Sequence, residues 1–140
     1  MGQKPDRILL ASGLEVSRLV TGLWQIADME KDGRKLDLDA LARDMVAYAR
    51  EGFDTFDMAD HYGSAEDVTG RFNALISADK SQPVNTAVFT KWCPSPGPMT
   101  SDVVRAAVTR ALVRLQTSKI DLMQFHWWTF QHPGWIDAMK

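Results

Sequence analysis

A chain of 140 residues, 45% hydrophobic and 24% charged, has the make-up of an ordinary globular domain or part of one. Its net charge of -2, with both signs interspersed, supplies neither a basic stripe for a nucleic-acid backbone nor a polybasic anchor for anionic lipid. No apolar run approaches the roughly 20 residues of a bilayer span, the polar opening lacks a signal-peptide core, and the single cysteine, Cys93, excludes an internal disulfide, so a cytoplasmic setting is expected.

In chain order, Ile8 to Leu10 and Leu14 to Val16 flank Ala11, Ser12 and Gly13 and predict a short hairpin. Residues 19–22 predict a first barrel-type strand, and the mixed-charge stretch 27–37 a loop. Leu41, Met45 and Tyr48, with Ala49 beside them, recur at helical spacing and predict a helix over about 39–51, with Gly52 past its end. Phe53 to Phe56 is a second strand. Ser64 and Asp67 resemble a capping box opening a helix lined by Val68, Phe72, Leu75 and Ile76, which Gly70 is expected to weaken.

A third strand, Ala87 to Thr90, ends at Lys91, and the prolines of the loop 93–98 bar helix and ladder alike. Thr100 or Ser101 caps the next helix, whose buried stripe is Val104, Ala107, Val108, Ala111, Leu112 and Leu115. Ile120 to Phe125 is a fourth strand. An aromatic loop over 127–133 and the start of a further helix at 134–140 complete the chain. Strands alternating with helices indicate βαβ units around a parallel sheet.

In such a sheet the carboxyl ends of the strands open on one side. Asp57 and Tyr62 follow the second strand, Lys91 closes the third and His126 closes the fourth, so an acid, a phenol, an ammonium and an imidazole share that side. Each residue has a plainer reading beside the catalytic one. Asp57 and Lys91 would form a structural ion pair, Tyr62 would pack as a loop phenol, and His126 would be a satisfied core histidine. His61 and His132 read as surface or loop residues, and Cys93 as an inert cysteine at a pocket edge.

These residues identify a resemblance. Asp57-Met-Ala-Asp-His-Tyr62, followed by Gly63 and Glu66, is similar to the Asp-x-Ala-x-x-Tyr segment of the aldo-keto reductases. Lys91 falls at that family's strand-end lysine, and Asp121-Leu-Met-Gln-Phe-His126 resembles its Asp-Leu-x-x-x-His segment. Val20 to Trp24 and Ala111 to Leu115 also fit. The resemblance implies an α/β fold of the (β/α)8 TIM-barrel type, with about four βα units present in residues 1–140 after the hairpin and the carboxyl-terminal half absent.

It further implies an oxidoreductase that reduces aldehydes or ketones to alcohols with NADPH or NADH. Tyr62 would be the general acid, assisted by Lys91, Asp57 and His126. Gly22, Trp24 and Asp57 would meet the cofactor, Gly22 because a missing side chain permits close approach. Trp24, Trp92 and Trp127 would line the pocket for a small carbonyl substrate. No metal is expected. No Gly-x-Gly-x-x-Gly occurs, so a Rossmann-type site is not expected either.

Because such a barrel takes about 250 residues, this chain is expected to be a fragment, with open sheet edges that a missing half or a second copy in a homodimer would cover. Two other classes of function fit the residues less well. One is a nicotinamide-sensing module on the same scaffold. The other is a metal-dependent hydrolase using Asp57, Asp60, His61 and His126.

Overall fold

The computed structural model describes residues 3–27 and 36–140, so most of the loop expected at 27–37 lies outside the described residues. Strands β1 (Arg7–Ala11) and β2 (Leu14–Ser17) form the antiparallel hairpin, with an irregular register between Leu9 and Ala11. Four parallel strands follow: β3 (Thr21–Gly22), β4 (Thr55–Asp57), β5 (Ala87–Trp92) and β6 (Leu122–Phe125), hydrogen-bonded in that order. The crossovers between them contain α1 (Leu38–Arg50), α2 (Ala65–Ala78) and α3 (Ser101–Arg114), and a single turn, α4 (Trp135–Ala138), comes after β6. Spatial order matches chain order, as in one side of a (β/α)8 barrel, and β3 and β6 are left as edges.

The pleat of β5 sorts the core. Val88 joins Met45, Ala49, Val68 and Phe72 among the helices, Thr90 donates to Glu66 of α2 at 2.7 Å, and Trp92 packs with Ala107 of α3. Ala87 and Phe89 point to the other face, where they meet Val16 of the hairpin and Leu122. Phe56 and Phe72 are fully buried with ring centres 5.1 Å apart, and burial of each stabilises the fold by about 1.5–3 kcal/mol.

Polar contacts fix the hairpin and the strand starts. The Ser17 N–H donates to Thr55 Oγ1 at 3.0 Å, and the Arg7 guanidinium donates to Asp54 at 2.7 Å. Asp121 interrupts an apolar run because its carboxylate accepts the Val88 N–H at 2.9 Å, satisfying a backbone donor in β5.

The helix ends explain where the elements depart from the sequence reading. Asp37 caps α1, accepting from the N–H groups of Asp39 and Ala40 at 3.0 Å, so the helix starts one residue early. At its other end Gly52, at φ +94°, donates to Ala49 O and Phe53 donates to Tyr48 O, with the Tyr48 and Phe53 rings 6.2 Å apart. Phe53 is thus consumed by a Schellman cap, and the strand begins only at Thr55. Tyr48, expected on the buried stripe, serves this cap and is 54% exposed.

The capping box expected at Ser64 does not form. Ser64 sits at φ -89°, ψ 9°, outside the extended conformation that aims a capping hydroxyl at the helix, and its Oγ is buried without a partner. Thr100 is extended and caps α3 as expected, accepting from Val103 N–H at 3.4 Å. Leu75 is exposed rather than buried, and Leu19 and Val20 lie outside the ladder, which β3 enters only at Thr21.

Gly70, expected to weaken α2, marks instead the place where α2 meets the end of α3. A Cβ there would lie 2.1 Å from the Arg114 carbonyl oxygen, and one turn on, Asn73 donates to Leu115 O at 2.8 Å. The glycine lets the two helices touch.

Candidate active site at the strand ends

Asp57 ends β4, and Lys91 stands beside Gln124 in the register of β5 and β6. The Lys91 ammonium donates to Asp57 Oδ2 at 2.5 Å and to the Met58 carbonyl at 2.8 Å. Gln124 donates to the other carboxylate oxygen, Asp57 Oδ1, at 2.9 Å. Both oxygens of Asp57 are therefore held. With the Lys91 side chain only 16% exposed, the pair is sheltered enough to keep its geometry against water. Gln124 escapes the sequence reading because an amide within a strand carries no charge, although it is in phase with Leu122 and His126.

The ladder continues past the strands and fixes the loops that follow. Met58 N–H donates to Phe89 O and Asp60 N–H to Lys91 O, both at 2.9 Å, and His126 N–H donates to Trp92 O at 2.9 Å. Tyr62 stands on the first of these loops with its ring centre 5.3 Å from Lys91 Nζ. Trp24 meets the Tyr62 ring edge-on, with centres 4.7 Å apart.

On the other side a file of rings runs from Tyr62 to His61 at 4.9 Å, from His61 to Trp128 at 5.9 Å and from Trp128 to His126 at 4.3 Å. The structure thus brings Asp57, Lys91, Tyr62 and Trp24 into one constellation and links His126 to it through Trp128 and His61. Gly22 pairs with Asp57 in the register, and a Cβ at Gly22 would enter open space.

Trp92 and Trp127, expected in the pocket, are placed elsewhere. Trp92 follows Lys91, so the pleat turns it to the helix side, where it packs with Met99, Ala107, Phe125 and Trp127. Trp127 lies on the Phe125 ring at 5.8 Å with its Nε1 buried and unpaired. Of the two tryptophans after β6, Trp128, 62% exposed, is the one that reaches the candidate site. His61, read as a surface histidine, is exposed but wedged between Tyr62 and Trp128.

Behind β5 the buried Glu66 accepts from Thr90 and, at 3.3 Å, from Arg114, which also donates to Asp60 O at 3.2 Å. Cys93, just past β5, donates its backbone N–H to both oxygens of Asp60 at 3.3 Å. Burial, reinforced by the Asp60 charge, pushes the Cys93 thiol up to about 11. The four residues weighed for a hydrolase do not converge on a metal: Asp57 is engaged by Lys91 and Gln124, and the metal-capable group found among the described residues is Asp60, His61 and Cys93.

Comparison with solved structures supports this architecture. A Pseudomonas aeruginosa protein assigned to the aldo-keto reductases is 27% identical, with a TM-score of 0.64 over 86% of this chain and 47% of that one. The Bombyx mori aldo-keto reductase solved in complex with NADP is 20% identical, with a TM-score of 0.64 over 87% of this chain and 38% of that one. An aldo/keto reductase from Brucella melitensis is 19% identical, with a TM-score of 0.64 over 99% of this chain and 48% of that one. The chain spans about half the length of these structures or less. No curated protein matches it, and no helix among the described residues is long and apolar enough to cross a membrane. The model of the aldo/keto reductase family matches residues 18–140, the whole parallel sheet and every candidate residue, and the chain belongs to that family.

Proposed function

We propose that this chain forms the amino-terminal half of a nicotinamide-dependent reductase that converts aldehydes or ketones to alcohols. The observation that carries the reading is the Lys91 ammonium, held by Asp57 and the Met58 carbonyl beside the Tyr62 ring. Two of its three N–H groups are engaged, which leaves the third to meet the phenol oxygen as Tyr62 gives up its proton. Tyr62 gives its proton to the substrate oxygen, and the ammonium lowers the cost of the phenolate left behind. Asp57, fixed on both oxygens, keeps Lys91 charged and in place. His126, its ring set against Trp128, donates to the same substrate oxygen and orients the carbonyl.

The residues present suit a nicotinamide. The open space beside Gly22, adjacent to Asp57, admits a flat group against the backbone, and Trp24 forms an apolar wall next to Tyr62. NADPH or NADH supplies the hydride that no side chain can. NADP in the Bombyx mori relative supports that choice of cofactor. The substrate is a small carbonyl compound gripped by Trp24 and Trp128.

Titration of the chain with NADPH and NADH, followed by tryptophan fluorescence and by aldehyde-dependent loss of nicotinamide absorbance, tests the proposal. Tyr62→Phe is expected to bind the nucleotide normally and to lose about 10²–10⁴ in turnover. Equal turnover in Tyr62→Phe would remove the tyrosine from its role. A folded chain that binds neither nucleotide would deny the activity to this half.

A further inference from the structure

We infer that the rim beside the candidate active site carries a second, independent site, at which Asp60, His61 and Cys93 bind one transition-metal ion of the zinc(II) class. A carboxylate oxygen of Asp60, a ring nitrogen of His61 and Cys93 Sγ all lie within 4.8 Å of one another. Ligand atoms around a tetrahedral zinc are roughly 3.5 Å apart, given Zn–O, Zn–N and Zn–S bonds of about 2.0–2.3 Å. The imidazole and carboxylate already meet that spacing, with Asp60 Oδ1 3.3 Å from His61 Nδ1. The remaining gap, at most 4.8 Å, is one that side-chain rotation on binding the ion would close.

The site is supported where it needs to be. The Cys93 N–H donates to both Asp60 oxygens, Asp60 N–H is bonded to Lys91 O, and Arg114 donates to Asp60 O, so the carboxylate is held before any ion arrives. One oxygen, one nitrogen and one sulfur form a mixed donor set that magnesium and calcium do not favour and that zinc or cobalt(II) does. Three protein ligands leave a fourth position open, as in exchangeable or catalytic zinc sites.

Asp60 and Cys93 also line a hollow of about 150 Å³ together with Arg110 and Arg114. There the two charges of the ion are balanced by one carboxylate and one thiolate, the thiol proton passing to solvent on binding. The filled site is neutral, one unit more positive than the empty site with its single carboxylate. Lys91 is already compensated by Asp57 and does not oppose the ion.

This inference does not depend on carbonyl reduction. Titrating the 140-residue chain with cobalt(II) and then zinc(II) tests it. The expected result is one equivalent of cobalt bound with a sulfur-to-metal charge-transfer absorption, displaced by zinc. Cys93→Ser should abolish that absorption, and both Cys93→Ser and His61→Gln should weaken binding at least tenfold while keeping the wild-type circular dichroism. His132→Ala, an exposed imidazole elsewhere, should change nothing. Absence of saturable binding, wild-type affinity in either ligand variant, or an equal loss in His132→Ala would overturn the site.

Discussion

On β5, Phe89 and Lys91 face the open side of the sheet, whereas Val88, Thr90 and Trp92 face the helices, and the two rows are satisfied in different ways. The helix-side row is closed: Trp92 is 6% exposed among apolar neighbours, and Thr90 is spent on Glu66. The open-side row ends in an ammonium whose partner Asp57, itself held by Gln124, is still part-exposed at the mouth. Adjacent residues of one strand therefore have separable roles. Packing closes one face, and prearranged charge lines the other, where the proposed chemistry would take place.

The sharpest way to break that comparison is to truncate neighbours. Trp92→Ala removes a buried ring and is expected to cost about 3–5 kcal/mol of stability while leaving turnover per folded molecule close to wild type. Lys91→Met should do the opposite. Its turnover should fall by about 10²–10³, the usual effect of losing one prearranged charged donor, with a smaller change in stability because Asp57 keeps Gln124 and reaches water. Denaturant melts and single-turnover rates on both variants decide the matter, and similar losses in both quantities for both variants would collapse the distinction.

A smaller effect is expected behind the helix-side row, where α2 crosses the end of α3. Gly70→Ala places a methyl group against the Arg114 carbonyl, a backbone atom that cannot swing aside, so the helices must separate. Overpacking of this kind costs about 1–3 kcal/mol, opposite in sign to the gain in helix propensity from alanine of about 1 kcal/mol. A melt showing Gly70→Ala more stable than wild type would mean that the helices move apart at little cost.

The contrast between the faces also explains what could be read from the sequence. Period-two and helical patterns place Asp57, Lys91 and His126 at strand ends and order the strands, because burial writes itself into residue type. The same period puts Trp92 opposite Lys91, yet an aromatic residue beside a catalytic-type lysine suggests a pocket wall, which is where residue type alone places Trp92. Gln124 carries no charge to mark it, and the choice between Trp127 and Trp128 depends on the turn after β6. Ser64 looks like a cap until its backbone torsions are known. Local chemistry signals itself in residue type, whereas orientation at chain turns depends on tertiary contacts.

The rim supplies the smallest and most specific effect. Burial first, and the Asp60 carboxylate second, hold the Cys93 thiol protonated up to about 11, whereas a thiol in an unfolded chain ionises near ~8.5. Between those values the folded state binds the extra proton, so this group's contribution makes stability fall as pH rises through that window. The same shift predicts slow alkylation: the iodoacetamide rate of the folded chain should climb up to about pH 11, while that of the denatured chain levels off near ~8.5. Asp60→Asn keeps an oxygen for the Cys93 N–H but removes the charge, and should speed alkylation at pH 8 by a few-fold. Burial is the larger cause and survives the substitution, so the rate should stay below that of the denatured chain. Full recovery to the denatured rate would make the carboxylate, and not burial, the dominant control over the rim thiol.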